Sequence, residues 1–157
     1  MIRPAVASDR ARVVDLLRAS REGAGFDRED GLTGFVFPFD PAYADRLFRL
    51  HLNQPRACCF VHDVDGAAQG ILMACATEHP FGPVLLARET VWFIEPAHRG
   101  TSAVRMLDAY ERWAKAMGCQ FIGMAGMGAD PDVGALYLRR GYRTAETHFL
   151  KGLSDNG

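Results

Sequence analysis

The chain has 157 residues, 48% of them hydrophobic, and a formal net charge of -1 at pH 7. A length of this order predicts one domain over residues 1–157, which buries roughly two thirds of the surface that the unfolded chain exposes. Because the net charge is close to zero, the composition excludes a protein that binds nucleic acid or an anionic membrane through its overall field, and any phosphate binding must be local.

The N-terminus lacks the basic-then-apolar pattern of a signal peptide, and no apolar run approaches the length that spans a bilayer. These features predict a cytoplasmic protein. The cysteines show no C-x-x-C spacing, and most lie in apolar runs, so buried reduced thiols are preferred over a metal site or a nucleophile. They are Cys58, Cys59, Cys75 and Cys119.

The first forty residues predict a strand, a helix and a long loop. Residues 1–5 form a short strand, and Ser8 or Asp9 is the N-cap of a helix that runs to about Arg21. Phe26–Asp40 mixes acidic residues, glycines and phenylalanines without periodicity, which indicates a loop. Such a loop either rims a substrate site or packs its phenylalanines onto the core.

A second helix and three strands follow. Asp40 and Pro41 supply the N-cap and first turn of a helix through His51 or Asn53. The residues predicted on its inner side are Tyr43, Ala44, Leu47 and Leu50. Three strands are then expected to form an antiparallel meander through turns at 63–66 and 78–83. They are Arg56–His62, Ala67–Thr77 and Val84–Ile94.

A strand, a short basic turn and an amphipathic helix occupy 84–118. The strand stops at Glu95-Pro96, and the turn 97–102 opens a helix with apolar residues at three- and four-residue spacing that ends at Gly118. The first N–H groups of a helix have no internal partner and carry the positive end of its dipole. Together with Arg99, this turn is therefore a candidate anion site, although a plain turn with a surface arginine has the same pattern.

The last part of the chain predicts a strand, a helix and a strand. Gln120–Met127 must run parallel to the preceding strand, because a whole helix separates the two. Asp130 and Pro131 cap a helix over Val133–Arg140, and Tyr142–Lys151 is predicted as the final strand.

The stretch WFIEPAHRGTSAVRML resembles the cofactor motif of the GNAT superfamily of acyl-CoA N-acyltransferases. The segment ALYLRRGY at 135–142 is similar to the A-L-Y-x-x-x-G-F/Y segment of that family, and IRPA at 2–5 resembles its first strand. The resemblance implies an α/β fold with a mixed sheet: an antiparallel N-terminal meander, a parallel strand pair splayed at the acyl-CoA site, and about four helices.

The resemblance also implies which residues hold acetyl-CoA as co-substrate, with no metal. Backbone groups at the strand end bind pantetheine and the turn binds pyrophosphate; these residues are Trp92, Phe93, Ile94, Arg99, Gly100, Thr101, Ser102, Ala103, Val104 and Arg105. Ser102 and Val104 depart from the glycine or alanine usual there, and β-branched valine resists the close backbone approach that glycine allows. The Ser102 hydroxyl is expected to compensate as a donor.

Two catalytic residues are predicted. Glu89 stands where the family commonly has a glutamate, and strict alternation places it on one strand face with Val91, Phe93 and Glu95. Desolvation raises the pKa of such a carboxyl toward the range useful to a general base, whereas a solvated glutamate is the alternative. The reserve bases are Glu78, His79 and Glu95.

Tyr137 matches the tyrosine that in the family contacts the thioester sulfur as general acid. By helix spacing alone it is a core residue.

Asp130 falls where the family often has a cofactor-contacting asparagine. A carboxylate near phosphates is unfavourable, so Asp130 is predicted only as an N-cap.

The implied function is transfer of an acetyl group from acetyl-CoA to a primary amine by direct attack on the thioester. The acceptor is a small molecule or a peptide, and a homodimer is common in the family. The alternative is a degenerate acyl-CoA-binding or interaction module. A Rossmann-type nucleotide domain is disfavoured, because G-x-G-x-x-G is missing and an antiparallel meander precedes the turn.

Overall fold

A five-stranded sheet with helices on both faces organises the molecule. The computed structural model describes residues 1–31, 33–126 and 131–153. The strands lie in the order β1-β2-β3-β4-β5; they are β1 Ile2–Pro4, β2 Ala57–Val64, β3 Ala67–His79, β4 Gly82–Ile94 and β5 Phe121–Gly123. The helices are α1 Arg10–Gly23, α2 Pro41–Asn53, α3 Thr101–Ala116 and α4 Pro131–Arg139. Strands β1 to β4 pair antiparallel and β4 pairs parallel with β5, which confirms the predicted fold class.

Strand alternation divides the core into one cluster on each face of the sheet. The α1/α2 face buries residues of α1 and α2 against β2 and β3, which include Val13, Leu16, Phe48, Val61, Ile71 and Met73. The α3 face buries residues of α3 and α4 against the same strands and β4, which include Leu72, Ala74, Ala87, Met106, Tyr110 and Tyr137. Apolar residues therefore point both ways from β3, and its sequence is almost continuously hydrophobic.

The inner face of α2 is the predicted one only in part, because Ala44 and Leu47 pack on the α1/α2-face core as predicted and Tyr43 and Leu50 do not. Tyr43 is 59% exposed and Leu50 is 47% exposed, whereas Ala44, Phe48 and His51 are buried. Residues 44, 48 and 51 follow the spacing of one helix stripe, so the helix is rotated by about one residue relative to the prediction. A histidine therefore lies in the contact between α2 and the sheet.

Asp9 is not the side-chain cap predicted for α1. Its carboxylate accepts two bonds from the Arg3 guanidinium at 2.8 and 2.9 Å and one from the Val6 N–H at 2.8 Å. These bonds lower the pKa of Asp9 below its ordinary value, with the Arg3 bond the largest cause. The side chain therefore joins β1 to the turn before α1 and leaves the helix end without a side-chain cap.

The C-terminal part of the sheet is shorter than predicted. Strand β5 ends at Gly123 rather than near Met127, which lies outside the described residues. Tyr142–Lys151 is not a strand, and Phe149 is 93% exposed. A segment becomes a strand only where a neighbour takes its backbone hydrogen bonds, and no described strand pairs with this segment.

A β-bulge interrupts β4 at Thr90. Met73 of β3 pairs with Val91, but the next residue of β3, Ala74, pairs with Glu89, so Thr90 is an extra residue without a partner across the ladder. A bulge leaves two residues on one strand opposite one on the other and breaks the alternation of side chains. This bulge decides which face carries Glu89.

Helix α4 is held to α3 by a charged network around Arg140. The guanidinium bonds Asp108 at 2.6 Å and both carboxylate oxygens of Glu111, at 3.0 and 3.3 Å. The Tyr142 hydroxyl donates to the same Glu111 at 3.2 Å. The network lies directly after the last turn of α4 and fixes that helix, with Tyr137, against α3.

We expect Arg140→Met to lower the free energy of unfolding by about 1–3 kcal/mol, because it leaves two partly buried carboxylates without their cation. Urea denaturation measures the change. Arg139→Met is the matched control, since Arg139 is the preceding residue, is exposed, and should change stability by less than about 0.5 kcal/mol. Equal effects of the two substitutions would show that the network contributes nothing to stability.

Candidate active site

A cleft opens where β4 and β5 separate. The two strands pair only over Leu86–Arg88 and Phe121–Gly123, whereas β4 continues to Ile94. In the described part of the chain no strand pairs with this side of β4 beyond Arg88. We call the space between Glu89–Ile94 and residues 124–126 the cleft.

Glu89 lies on the α3 face of the sheet. Residues paired across an antiparallel ladder share a face, and its partner Ala74 belongs to the α3-face core. Val91 pairs with Met73 and belongs to the α1/α2-face core. The prediction that Glu89 shares a face with Val91 and Phe93 is therefore wrong, because the bulge at Thr90 shifts the alternation by one residue.

The Glu89 carboxylate reaches across the start of the cleft. Its Oε1 accepts a hydrogen bond from the backbone N–H of Ala125, just after β5. Burial raises the pKa of Glu89 to about 7, while the bond from Ala125 acts in the opposite direction. A carboxyl with this pKa exchanges protons readily near neutral pH, which is the property a general base needs.

Tyr137 of α4 reaches the same residue. Its hydroxyl donates to the Ala125 carbonyl oxygen at 3.0 Å, and only 8% of the residue is exposed. Its ring lies 6.1 Å from that of Trp92 and 5.7 Å from that of Tyr142, between centroids. Glu89 and Tyr137, which are 48 residues apart in sequence, thus bind the N–H and the C=O of one residue at the mouth of the cleft.

The indole N–H of Trp92 is a buried donor beside this pair. Its Nε1 atom has no hydrogen-bond partner among the described residues. A buried donor without an acceptor costs about 1–3 kcal/mol, and few such groups persist in folded proteins. The indole N–H of Trp92 is therefore an unused donor close to the Tyr137 ring.

The backbone at the end of β4 also faces the cleft, but not at every residue predicted. The Glu95 N–H bonds the Gln69 carbonyl beside β3, so alternation turns Phe93 toward β3 and Trp92 and Ile94 toward the cleft. The Ile94 carbonyl accepts the Arg99 Nε–H at 2.8 Å. Trp92 and Ile94 are thus placed to offer main-chain groups to a ligand, and Phe93 is not.

The turn between β4 and α3 ends at Gly100, in a backbone conformation that favours glycine. Pro96–His98 forms a short 3-10 turn, and Gly100 precedes α3 with φ of 111° and ψ of -122°. Residues with a Cβ rarely adopt this conformation. Arg99 lies over the Phe93 ring at 5.7 Å, so its guanidinium stays beside the end of β4.

Ser102 does not supply the extra donor that the sequence suggested. It is buried, and its hydroxyl donates to the His98 carbonyl oxygen at 2.5 Å, which ties the first turn of α3 to the 3-10 turn. Val104 is 39% exposed. Thr101 and Arg105 are also exposed, whereas Ala103 packs against the α3-face core.

The reserve bases lie away from the cleft or have other partners. Glu78 and His79 lie at the hairpin end of β3. Glu78 is four residues from Ala74, the partner of Glu89, so their Cα atoms are roughly 13 Å apart. Glu95 pairs with Arg12 at 3.2 Å. Asp130 lies outside the described residues, so its predicted capping role is untested.

Two features of this region were missed by sequence reasoning. Ala125 contributes only its backbone, so no side-chain pattern marks it. His51 was placed at the end of α2 without a role, although its spacing from Ala44 and Phe48 was enough to put it on the buried stripe. It is 3% exposed and contacts Thr90 at the bulge.

The described parts of the chain contain neither a metal site nor a helix that could span a membrane. No group of three or more His, Cys, Asp or Glu residues there is placed to hold a metal ion. None of the helices there is both long and apolar enough to cross a membrane.

Comparison with known proteins identifies the family. Residues 27–142 match the family model described as Acetyltransferase (GNAT) family, which is well over half of the chain. This chain belongs to the GNAT acetyltransferase family. Its cleft, the turn at Gly100 and Tyr137 all lie inside the matched region. No curated protein sequence matches the chain.

Solved structures with this fold include other acetyltransferases. A predicted acetyltransferase with acetyl-CoA from Clostridium acetobutylicum superposes with a TM-score of 0.74 and 16% identity, covering 97% of this chain and 95% of that one. A ribosomal-protein-alanine N-acetyltransferase from Brucella melitensis gives 0.70 and 16%, covering 98% and 99%. An aminoglycoside acetyltransferase from an uncultured soil sample gives 0.70 and 20%, covering 98% of each chain. At these identities the likeness shows the fold of this GNAT protein and not its substrate.

Proposed function

We propose that this GNAT protein is an N-acetyltransferase that transfers the acetyl group of acetyl-CoA to a primary amine by direct attack on the thioester. The observation that supports this most strongly is the meeting of Glu89 and Tyr137 on Ala125, where β4 and β5 separate. A proton acceptor and a hydroxyl donor thus bind the N–H and the C=O of one residue, close to the unused indole donor of Trp92.

Glu89 takes the proton that the amine must lose. A lysine-like amine has a pKa of about 10.4 and is neutral in only about one molecule in 2500 at pH 7. Because burial raises the pKa of Glu89 to about 7, half of the carboxyl groups are ionised near neutrality and able to accept a proton, directly or through water.

Tyr137 stabilises the departing sulfur. Complete proton transfer from a phenol of pKa about 10 to a thiolate of pKa about 8.5 is uphill by about 2 kcal/mol. The Tyr137 hydroxyl therefore acts by hydrogen bonding to the sulfur as negative charge develops. This requires the hydroxyl to exchange its bond with the Ala125 carbonyl for one with the substrate.

Acetyl-CoA is held along β4 and at the start of α3. Trp92 and Ile94 offer main-chain groups to the pantetheine amides, and the free N–H groups of the first turn of α3 bind the pyrophosphate. Arg99 adds a fixed cation. For pantetheine to bond the Ile94 carbonyl, Arg99 must release it, which turns the guanidinium toward the phosphates.

Calorimetric titration with acetyl-CoA and a thiol-release assay with a panel of amines test this function. The panel contains a polyamine, an aminoglycoside, a peptide with an alanine N-terminus and a lysine peptide, because two proteins with this fold are acetyltransferases named for the second and third kinds of acceptor. Binding together with release of coenzyme A in the presence of one amine supports the proposal. Failure to bind acetyl-CoA contradicts it.

A degenerate acyl-CoA-binding or interaction module is the second candidate. It is favoured by Ser102, whose hydroxyl is used inside the turn, and by Arg99, whose Nε–H is held by Ile94. Binding of acetyl-CoA without turnover of any amine would favour this candidate. We also propose that the N-acetyltransferase is cytoplasmic and forms a homodimer. Size-exclusion chromatography with light scattering tests the homodimer.

Arg99→Ala is expected to weaken acetyl-CoA binding about tenfold, since a hydrogen bond to a charged group is worth about 1.5–3 kcal/mol. Calorimetry measures the change. Arg112→Ala is the control, because Arg112 is an exposed arginine of α3 that lies well beyond its first turn. An affinity unchanged by Arg99→Ala would remove Arg99 from the binding site.

A further inference from the structure

A polar cluster separate from the cleft lies on the α1/α2 face of the sheet. It consists of His51 of α2, Cys75 of β3 and Thr90 at the bulge of β4. The His51 Nε2 atom lies 2.7 Å from the Thr90 hydroxyl oxygen and 3.5 Å from the Cys75 sulfur. His51 is 3% exposed, Cys75 is half-buried and Thr90 is exposed, so the cluster opens to solvent at its outer end.

The tautomer of His51 is set by its helix. Nδ1 lies 2.8 Å from the Leu47 carbonyl oxygen, which can only accept, so Nδ1 carries the proton. Nε2 is therefore the acceptor, and its single lone pair is shared by the Thr90 hydroxyl and the Cys75 thiol. After protonation, Nδ1–H still donates to the Leu47 carbonyl, and Nε2–H can donate to the thiolate that it leaves on Cys75.

The Cys75 thiol differs from the other three in having this base. Burial raises the pKa of the Cys58 and Cys59 thiols, and that of Cys119 is raised for the same reason. Arg88 pairs with Cys75 across the ladder and projects from the same face, with its guanidinium 3.4 Å from Glu146. A nucleophile within bonding distance of a base, which a third group orients, is the arrangement of nucleophilic catalysis.

We propose that Cys75 is a second nucleophilic site of this protein, with His51 as its base, and that small acyl thioesters acylate it. Cys75 gives its proton to His51 Nε2, and the thiolate attacks the carbonyl carbon to form a new carbon–sulfur bond. The carbon–sulfur bond of the original thioester breaks, and the departing thiolate takes the proton from Nε2. The reaction is a thioester exchange, so nothing is oxidised or reduced.

This site is independent of the Glu89 cleft. Cys75 adjoins Ala74, the partner of Glu89, but faces the opposite side of the sheet. The two groups thus occupy neighbouring positions on different faces. Acylation of Cys75 from solvent requires neither the α3 turn nor Tyr137.

The test uses S-acetyl-N-acetylcysteamine, a thioester that has no nucleotide, on the full-length folded protein, with peptide mass spectrometry. We expect Cys75 to be acetylated before Cys58, Cys59 or Cys119. The peptide that contains residue 75 should carry no acetyl group in Cys75→Ser, and the rate of Cys75 acetylation should be about 10²-fold lower in His51→Gln. Acetylation at another cysteine first, or an undiminished rate in folded His51→Gln, would overturn the proposal.

Thr90→Val is the second variant, and it keeps the test decisive if His51→Gln does not fold. Valine is close in shape to threonine but has no hydroxyl, so Nε2 is left to the thiol and acetylation of Cys75 should become faster. An unchanged or slower rate would overturn the role of His51. Because the probe lacks the nucleotide, failure of the protein to bind acetyl-CoA contradicts the proposed transferase function without affecting this result.

Discussion

Tyr137→Phe is expected to lower kcat by about 10²-fold while acetyl-CoA affinity stays within about twofold of the original. The hydroxyl lies at the mouth of the cleft and is proposed to bond the sulfur only as charge develops, so its loss affects the transition state more than the bound ground state. Steady-state kinetics with the amine that supports turnover, together with calorimetry, separate the two effects.

Tyr142→Phe is the matched control for that substitution. The Tyr142 ring lies 5.7 Å from that of Tyr137, but its hydroxyl donates to Glu111 of α3 instead of Ala125. Loss of this hydroxyl should leave kcat close to that of the unchanged protein. If kcat falls equally in both variants, or in neither, Tyr137 is a core residue that serves packing.

Glu89→Gln is expected to lower kcat/KM by about 10²–10⁴-fold, the usual contribution of a general base. The unchanged protein should gain activity as pH rises through about 7, because the base acts in its ionised form and burial raises the pKa of Glu89 to about 7. The amide does not titrate, so the variant should lack this limb of the pH–rate profile. A limb that survives in the variant would assign the base to another group.

The same substitution should stabilise the fold at high pH. The folded pKa of Glu89, about 7, lies above the value of 4.5 for an unperturbed carboxyl, so the folded state favours the protonated form. The contribution of protonated Glu89 to the free energy of unfolding is fully present below pH 4.5 and is lost as pH rises through about 7. Glu89→Gln should therefore raise Tm at pH 8 and leave it nearly unchanged at pH 4, as scanning calorimetry can measure. A Tm at pH 8 below that of the unchanged protein would contradict this prediction.

Most elements of the fold follow from local patterns. Asp40 caps α2 through the N–H groups of Ala42 and Tyr43, as the Asp-Pro pair predicts. Gly118, which follows α3, has the positive φ expected of a glycine at a helix end. The meander of β2, β3 and β4 follows from apolar segments separated by turns. These features involve residues a few positions apart, so the sequence contains the information needed to predict them.

The errors arose where distant segments meet. Tyr142–Lys151 has a strand pattern, but a strand needs a neighbour, and sequence does not say whether one is present. Tyr43 and Leu50 were wrongly placed on the inner face of α2, because the buried stripe is defined by contact with β2 and β3. Both outcomes depend on packing between elements that are far apart in the chain.

The sequence by itself determined the order of the elements, the glycine-dependent turn into α3 and, through its motifs, the family and the candidates Glu89 and Tyr137. Only the tertiary structure decided how these candidates are arranged. The bulge at Thr90 arises from the register of β3 against β4, and it turns Glu89 to the α3 face and Thr90 toward His51. The meeting of Glu89 and Tyr137 on Ala125 depends on where β5 leaves β4, because a backbone group becomes a partner only through the path of the chain.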